Sequence, residues 1–380
     1  MVGDANHYFN RKLVERLKVY NNDILIDFFS VFNPDTKLVM PYDNVFNASI
    51  KDKSFFSIFR IRGIRGVYTQ VHYRTMLLKI LDEKEYDCIH FQSIPVWAYT
   101  IFKNWRLRNK LLITTVWGSD FYRASKRSLR KIRKIVMYSD KITFATNAIS
   151  LDFDMVFNSI KKHVIVRFGL EVFDYIDSLH SVLKEGMIDN FRKKVVITIG
   201  YNRHPAQQHL KIIDSLSILP DEIKNRLKIV LPFTYGAIHS GYLEQINKKL
   251  DLLGIEYIIK KDFMAPQEIA YNCVNSDIMI QLQKTDAFSG SMQEYMYAGN
   301  IILTGEWLPY QDLKNCGVYF LEVPKVEDVG KLLLQTIEDM NLHKQNCLLN
   351  KIALKKLSGW EYNIQKWNAL YDKKNFKETL

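Results

Sequence analysis

The chain has 380 residues, 47% hydrophobic and 25% charged. That length exceeds one ordinary domain and fits two of roughly 150 to 200 residues, each with material for a core. The sequence has no unbroken apolar run of about 18 residues, the minimum for a spanning helix, and MVGDANHYFNRKL lacks the apolar region of a secretory signal. Both observations point to the cytoplasm. Cys88, Cys273, Cys316 and Cys347 lie far apart, match no metal or disulfide spacing, and read as reduced thiols. The net charge of +12 is uneven: residues 1–180 carry 28 basic against 18 acidic residues, the remainder 25 against 23. A basic half faces an anionic partner, which can be nucleic acid, an anionic membrane or a phosphorylated substrate.

In chain order, short β-branched runs alternate with helical stretches. Only Met1 and Val2 precede Gly3-Asp4-Ala5-Asn6, which reads as the turn after a first strand, so that strand is nearly absent or begins upstream. Strands are expected at 23–29, 87–92, 111–116, 141–146 and 164–168. A polar stretch near 180–193 reads as a linker, and a second series follows at 195–199, 228–233, 256–260, 277–283, 300–305 and 318–323. Helices are expected at 206–219, 242–253 and 325–340, with a last one near 360–376. Runs without strict alternation suit parallel strands buried on both faces, and strand–helix alternation implies doubly wound α/β domains. The expected division is 1–182, a linker at 183–193, a second domain at 194–356, and a C-terminal helical segment at 357–380 packing on the first domain.

The most informative segment is DIMIQLQKTDAFSGSMQEYMYAGNIILTG, residues 277–305. A strand ends near Gln283, and a loop with Asp286, Phe288 and Ser289-Gly290-Ser291 follows. A helix then runs to Ala298 and stops at Gly299. Small residues let a diphosphate approach the backbone, and the first-turn N–H groups favour an anion. Glu294, one turn inside, can accept both hydroxyls of a ribose, and Asp286 would face the sugar. On spacing alone, Ser-Gly-Ser is equally an N-cap and Glu294 a solvated carboxylate.

Asp286-x7-Glu294, Phe288 and Ala298-Gly299 resemble the nucleotide-sugar signature of GT-B glycosyltransferases, especially glycosyltransferase family 4. DCIHFQ (87–92), TTVWGSD (114–120), VIVRFGLEVFDYI (164–176) and LSGWEYNIQKWNALYD (357–372) resemble further segments of that family in the same order. The resemblance implies two Rossmann-like domains facing a cleft. It also implies sugar transfer with retention, from a nucleotide sugar, UDP- or dTDP-linked, to a glycan. The acceptor would be linked to a polyprenyl diphosphate, in bacterial surface polysaccharide synthesis. No cofactor is implied.

Three features depart from family 4. Its usual Arg and Lys after the second domain's first strand become Gly200-Tyr201-Asn202-Arg203-His204-Pro205-Ala206-Gln207-Gln208-His209. Arg203 can grip phosphate in bidentate fashion, and Gln207 or His209 would have to replace the Lys. Asp286 replaces the usual first Glu of the motif. Trp117 stands where the family often has a His and cannot move a proton. Trp117-Gly118-x-Asp120, the 200–209 loop and LPFTYG (231–236) resemble inverting fucosamine transferases acting on lipid-linked sugars. Gly3, Asp4, Asn6, Trp117 and Gly118 would edge the acceptor site. Asp120 is the candidate base of an inverting reaction, or else a first-turn carboxylate. His90, inside an apolar strand, reads as a satisfied core histidine.

No Asp-x-Asp pair lies where a metal–diphosphate site would need one, so transfer without metal is expected, with protein donors neutralising the leaving group. Residues 103–134 carry eleven Lys and Arg against one acid, Asp120, and 54–68 mix aromatics with three arginines. Both suit an anionic leaflet, at about 1 kcal/mol per basic contact, or else are solvated faces. A sugar-nucleotide 2-epimerase has the same architecture but no use for such a surface. A nucleic-acid-binding protein fits the charge, but no recognition motif is present, so no nucleic-acid partner is expected.

Overall fold

The computed structural model describes every residue except 36, 39, 51–61, 186–193, 287 and 373–380. The chain divides into two compact units, Met1–Gly169 with Trp360–Leu380, and Leu170–Gly359.

In the first unit, strands β1 (Val2–Gly3), β2 (Asp27–Ser30), β3 (Asn44–Asn47), β4 (Cys88–Phe91), β5 (Leu111–Val116), β6 (Lys141–Phe144) and β7 (His163–Ile165) form one sheet. Its order is β3-β2-β1-β4-β5-β6-β7, and every pairing is parallel. All six residues of β5, LLITTV, are buried, as a strand covered on both faces requires. β1 is only two residues long yet pairs with both β2 and β4. β3, NVFN, falls outside the expected strands, because two asparagines flank its only apolar pair.

The helix Trp360–Leu370 belongs to this unit. Trp360, Ile364, Trp367 and Leu370 share a core with Leu13, Val14 and Leu17 of the helix Tyr8–Tyr20. The Trp367 indole N–H donates to the Arg167 carbonyl at 2.9 Å, and Asn21 Nδ2 donates to Asn368 Oδ1 at 3.1 Å. The helix stops at Leu370, with Tyr371 in a turn, short of the expected end at 376; residues 373–376 lie outside those described.

In the second unit, β8 (Val195–Ile199), β9 (Leu227–Pro232), β10 (Glu256–Lys260), β11 (Ile278–Gln281), β12 (Ile301–Gly305) and β13 (Leu321–Val323) form a sheet of order β10-β9-β8-β11-β12-β13. It too is wholly parallel. Ile197, Ile199, Ile229, Leu231, Ile280 and Leu303 anchor its core. The helix Val172–Glu185 belongs here and not to the first unit, where a boundary at 182 would put it. The ring of Phe173 stacks on Tyr297 at 3.9 Å, and the Tyr297 hydroxyl donates to Asp177 at 2.9 Å. Residues 180–185 of the polar stretch finish that helix, and 186–193 lie outside the described residues.

The expected helix at 206–219 is three pieces. A 3-10 turn spans Pro205–Gln207, an α-helix His209–Ser215, and a second 3-10 turn Leu216–Ile218. Gln208 breaks it, held left-handed at φ 60° while its Nε2 donates to the Leu282 carbonyl at 2.6 Å. The helix Gly290–Tyr297 stops before Gly299, whose φ of +87° is the left-handed conformation that ends a helix at low cost only in glycine.

Candidate functional site

Open parallel sheets bind ligands beyond the carboxyl ends of their strands, where the strand order reverses. In the second unit that point lies between β8 and β11. The loops after these two strands carry Gly200, Asn202, Arg203, Phe288 and Ser289 of the expected donor residues, and the helix after the second loop carries Gly290, Ser291 and Glu294.

The first loop opens on Gly200 at φ +64°. A Cβ there would come within 3.1 Å of both Gln207 Oε1 and His209 Nε2. Asn202 is buried, and its Oδ1 accepts the His204 N–H at 2.9 Å. Arg203 donates its Nε–H to the Gly236 carbonyl at 2.6 Å and its backbone N–H to Tyr235 at 2.9 Å. Both contacts aim its fork from the loop after β9, and no carboxylate among the described residues forms an ion pair with it. His204 serves as a cap, its ring nitrogen accepting from Ala206 N at 3.1 Å. Burial pushes His209 down to about 4, so it is a neutral ring. Its Nδ1 lies 3.1 Å from the Tyr242 hydroxyl.

The second loop is stitched to the first. Gln283 Oε1 accepts from the Tyr201 hydroxyl at 3.1 Å and from Gln207 Nε2 at 2.9 Å, and Lys284 N donates to the Ala206 carbonyl at 2.9 Å. Asp286, half-buried, accepts from the Tyr310 hydroxyl at 2.5 Å. Phe288 is also half-buried. Ser289 is the N-cap of the helix Gly290–Tyr297, its Oγ accepting from Met292 N at 3.1 Å. That cap serves the third helical N–H and leaves those of Gly290 and Ser291, which have no partner in the helix ladder. The cap and the anion-site readings of Ser-Gly-Ser are therefore compatible.

Glu294 is half-buried, and burial pushes its carboxyl up to about 8. No described residue hydrogen-bonds to that carboxylate. On β11, Gln281 is fully buried with neither side-chain polar atom partnered among the described residues, and Gln283 Nε2 and Gln207 Oε1 are likewise without a partner there. Such atoms are rare in native interiors and cost about 1–3 kcal/mol each. These three residues cluster on β11 and the two loops, where a polar ligand or water would satisfy them.

In the first unit the strand order reverses between β1 and β4. At Gly3 an added Cβ would lie 3.2 Å from Gln92 Cβ. Asp4 Oδ1 accepts Asn6 N at 2.9 Å. Asn6 is committed to its own fold, donating to the Asn33 carbonyl at 2.9 Å and accepting Asp35 N at 2.7 Å. Trp117 stacks on Phe168 at 5.0 Å and donates its indole N–H to the Gln92 carbonyl. Gly118, at φ +90°, opens the short helix Ser119–Tyr122.

Asp120 sits in the first turn of that helix. Its two oxygens accept Ile94 N at 3.1 Å and Trp117 N at 3.0 Å, and burial raises its pKa. It fastens the β4 loop to the β5 loop as a first-turn carboxylate does. His90 is a satisfied core histidine, pushed down to about 3 by burial, between Tyr371 and Thr115 hydroxyls each at 2.7 Å.

On the first unit's surface, the helix Lys126–Tyr138 buries Ile132, Ile135 and Val136 and exposes Lys126, Arg127, Arg130, Arg133 and Lys134. Trp105 is 69% exposed. Of the 54–68 stretch, residues 54–61 lie outside those described. No described helix is long and apolar enough to cross a membrane.

Sequence reasoning passed over Tyr310 and Gln281, and over Gln283 as more than a strand end. It also passed over His7, exposed with its ring 5.1 Å from Trp117. Only His7 had a local signal, its place just after the Gly3-Asp4-Ala5-Asn6 turn.

Neither a protein-family profile nor a curated protein sequence matches the chain. Among solved structures, it is similar to Anabaena HepE in complex with UDP and glucose, at 13% identity and a TM-score of 0.69, covering 100% of this chain and 99% of that one. A glycosyltransferase from Rickettsia africae matches at 13% identity and a TM-score of 0.71, covering 97% of each chain. A UDP-forming trehalose-phosphate synthase from Burkholderia xenovorans matches at 10% identity and a TM-score of 0.69, again over 97% of each. The chain has the GT-B fold.

Proposed function

We propose that this chain, with its GT-B fold, is a glycosyltransferase moving a sugar from a nucleoside diphosphate sugar to a hydroxyl of a glycan acceptor. The observation that carries the reading is Glu294, a half-buried carboxylate without a described hydrogen-bond partner, one turn inside a helix whose first two N–H groups have no partner in the helix ladder. A ribose would supply its hydroxyls to Glu294. The diphosphate would take the N–H groups of Gly290 and Ser291, capped by Ser289, and the fork of Arg203. Gly200 and Asn202 would shape that turn, Phe288 would flank the donor, and Asp286 would face the sugar. UDP and dTDP are the favoured nucleotides, and HepE was crystallised with UDP and glucose.

In the reaction the acceptor oxygen bonds to the anomeric carbon. The bond from that carbon to the diphosphate oxygen breaks, its electron pair leaving with the diphosphate, and the acceptor proton goes to base. Retention is favoured over inversion, because Asp120 spends both oxygens on backbone N–H groups. The leaving phosphate would then take the proton, as the family 4 likeness implies.

The exposed basic helix Lys126–Tyr138 and Trp105 support an acceptor carried on a lipid diphosphate at an anionic leaflet, in surface polysaccharide synthesis on the cytoplasmic side. Gly3, Asp4, Asn6, Trp117 and Gly118 would border that acceptor. A hydrolysis screen of UDP-, dTDP- and GDP-sugars, detecting released nucleoside diphosphate, tests the reading. One nucleotide class should be cleaved well above the rest. Cleavage of none by the folded protein would overturn it.

A further inference from the structure

Asp286 lies on a loop, where a carboxylate is poorly fixed unless something grips it. A misplacement of about 1 Å at a reacting centre costs about 100-fold in rate. The turn after β12 supplies the grip. Trp307 donates its indole N–H to the Gln283 carbonyl at 2.9 Å, and Tyr310 donates its hydroxyl to Asp286 Oδ2 at 2.5 Å. One four-residue stretch therefore clamps the β11 loop at two points, three residues apart. The turn is itself anchored, Glu306 N donating to the Val323 carbonyl at 3.0 Å.

We propose that Tyr310 is a positioning residue for sugar transfer, holding the Asp286 carboxylate toward the donor sugar; the proposal rests on the donor-site reading above. Tyr310 is 1% exposed, so its ring cannot swing away and its O–H has a fixed direction. A hydroxyl-to-carboxylate bond is short and charge-assisted, stronger than a neutral one. Burial first, and then the Asp286 charge, drives the phenol well above its ordinary range, so it stays a donor at any working pH. Tyr201 also feels the Asp286 charge but donates to Gln283. Of the two, Tyr310 is the one whose hydroxyl bonds the Asp286 carboxylate. A buried tyrosine needs some partner for its O–H, so packing alone would explain the bond but not a selective effect on turnover.

Tyr310→Phe removes only the hydroxyl. With the nucleotide sugar chosen by the hydrolysis screen, kcat should fall tenfold or more while donor KM stays within twofold. Tyr310→Phe combined with Asp286→Asn should be no slower than Asp286→Asn alone, because the hydroxyl acts through that carboxylate. An unchanged kcat in Tyr310→Phe, beside a slow Asp286→Asn, would overturn the proposal alone. So would a double variant slowed by the product of the single effects. An Asp286→Asn variant as fast as the parent would remove the donor-site role of Asp286 and this proposal with it. Should Tyr310→Phe not fold, Trp307→Phe releases the other anchor and carries the same expectation of lower kcat at constant KM. Unchanged turnover there would overturn the clamp.

Discussion

Gln207 Nε2 donates to Gln283 Oε1 at 2.9 Å, a bond that ties the loop after β8 to the loop after β11 across the point where the strand order reverses. Gln283 also accepts from Tyr201, so one side chain sets the spacing of the two loops proposed to hold the donor. Gln283→Leu keeps the bulk and removes both bonds, leaving the Gln207 amide and Tyr201 hydroxyl without their acceptor. The cost is about 1–3 kcal/mol per stranded buried group. Thermal unfolding should show a clear loss of stability, and donor KM should rise. A variant as stable as the parent and equally tight for donor would show that the loops are set by other contacts.

Glu294 makes a pH-dependent prediction. Its folded pKa of about 8 lies above the ordinary 4.5, because burial disfavours the charge. The protonated form therefore favours the folded state. That contribution is full below about 4.5 and is lost as pH rises through about 8. Glu294→Gln should accordingly gain stability over the parent at pH 8 relative to pH 5, by up to a few kcal/mol. Melting curves at the two pH values check this, and an equal difference at both would contradict the buried-carboxylate account. Donor hydroxyls prefer the ionised form, so donor binding should tighten as pH rises from 6 to 8 and release a proton.

The basic surface predicts reversible attachment to anionic lipid. Lys126, Arg127, Arg130, Arg133 and Lys134 are exposed and subject to screening. Flotation with liposomes should recover the protein with anionic but not neutral lipid. Recovery should fall as ionic strength passes about 0.15 M, where the Debye length is about 8 Å. Equal recovery on both lipids would leave the charge to the acceptor's own phosphates.

Chelation should leave donor hydrolysis intact, since no Asp-x-Asp pair stands where a metal–diphosphate site would need it. Loss of activity in EDTA, restored by magnesium or manganese, would contradict this.

The fold was largely legible because its strands are dense in β-branched residues. β5, β8 and β10 have the bounds expected from the sequence, 111–116, 195–199 and 256–260. β3 was not, because a strand with two apolar residues carries no period. The break at Gln208 was hidden too, since it depends on a bond to the Leu282 carbonyl in the loop after β11. The unit boundary followed packing and not the charge shift: Phe173 stacks on Tyr297, over a hundred residues away. For the candidate site, the local pattern of Asp286, Ser289 and Glu294 could be read along the chain. The contacts of Tyr310 with Asp286, and of Tyr201 with Gln283, join the ends of different strands and leave no trace in spacing.

The helix N-terminus at Gly290 and the Glu294 carboxylate are proposed to hold a nucleoside diphosphate. Titration calorimetry of UDP and dTDP against the parent and Glu294→Gln tests it most directly. A hydrogen bond to a charged group is worth about 1.5–3 kcal/mol, and UDP offers two ribose hydroxyls where dTDP offers one. The account predicts UDP binding to the parent, a loss of tenfold or more in Glu294→Gln, and a smaller loss for dTDP. Equal UDP affinity in parent and variant, or no binding of either nucleotide to the folded parent, would contradict it.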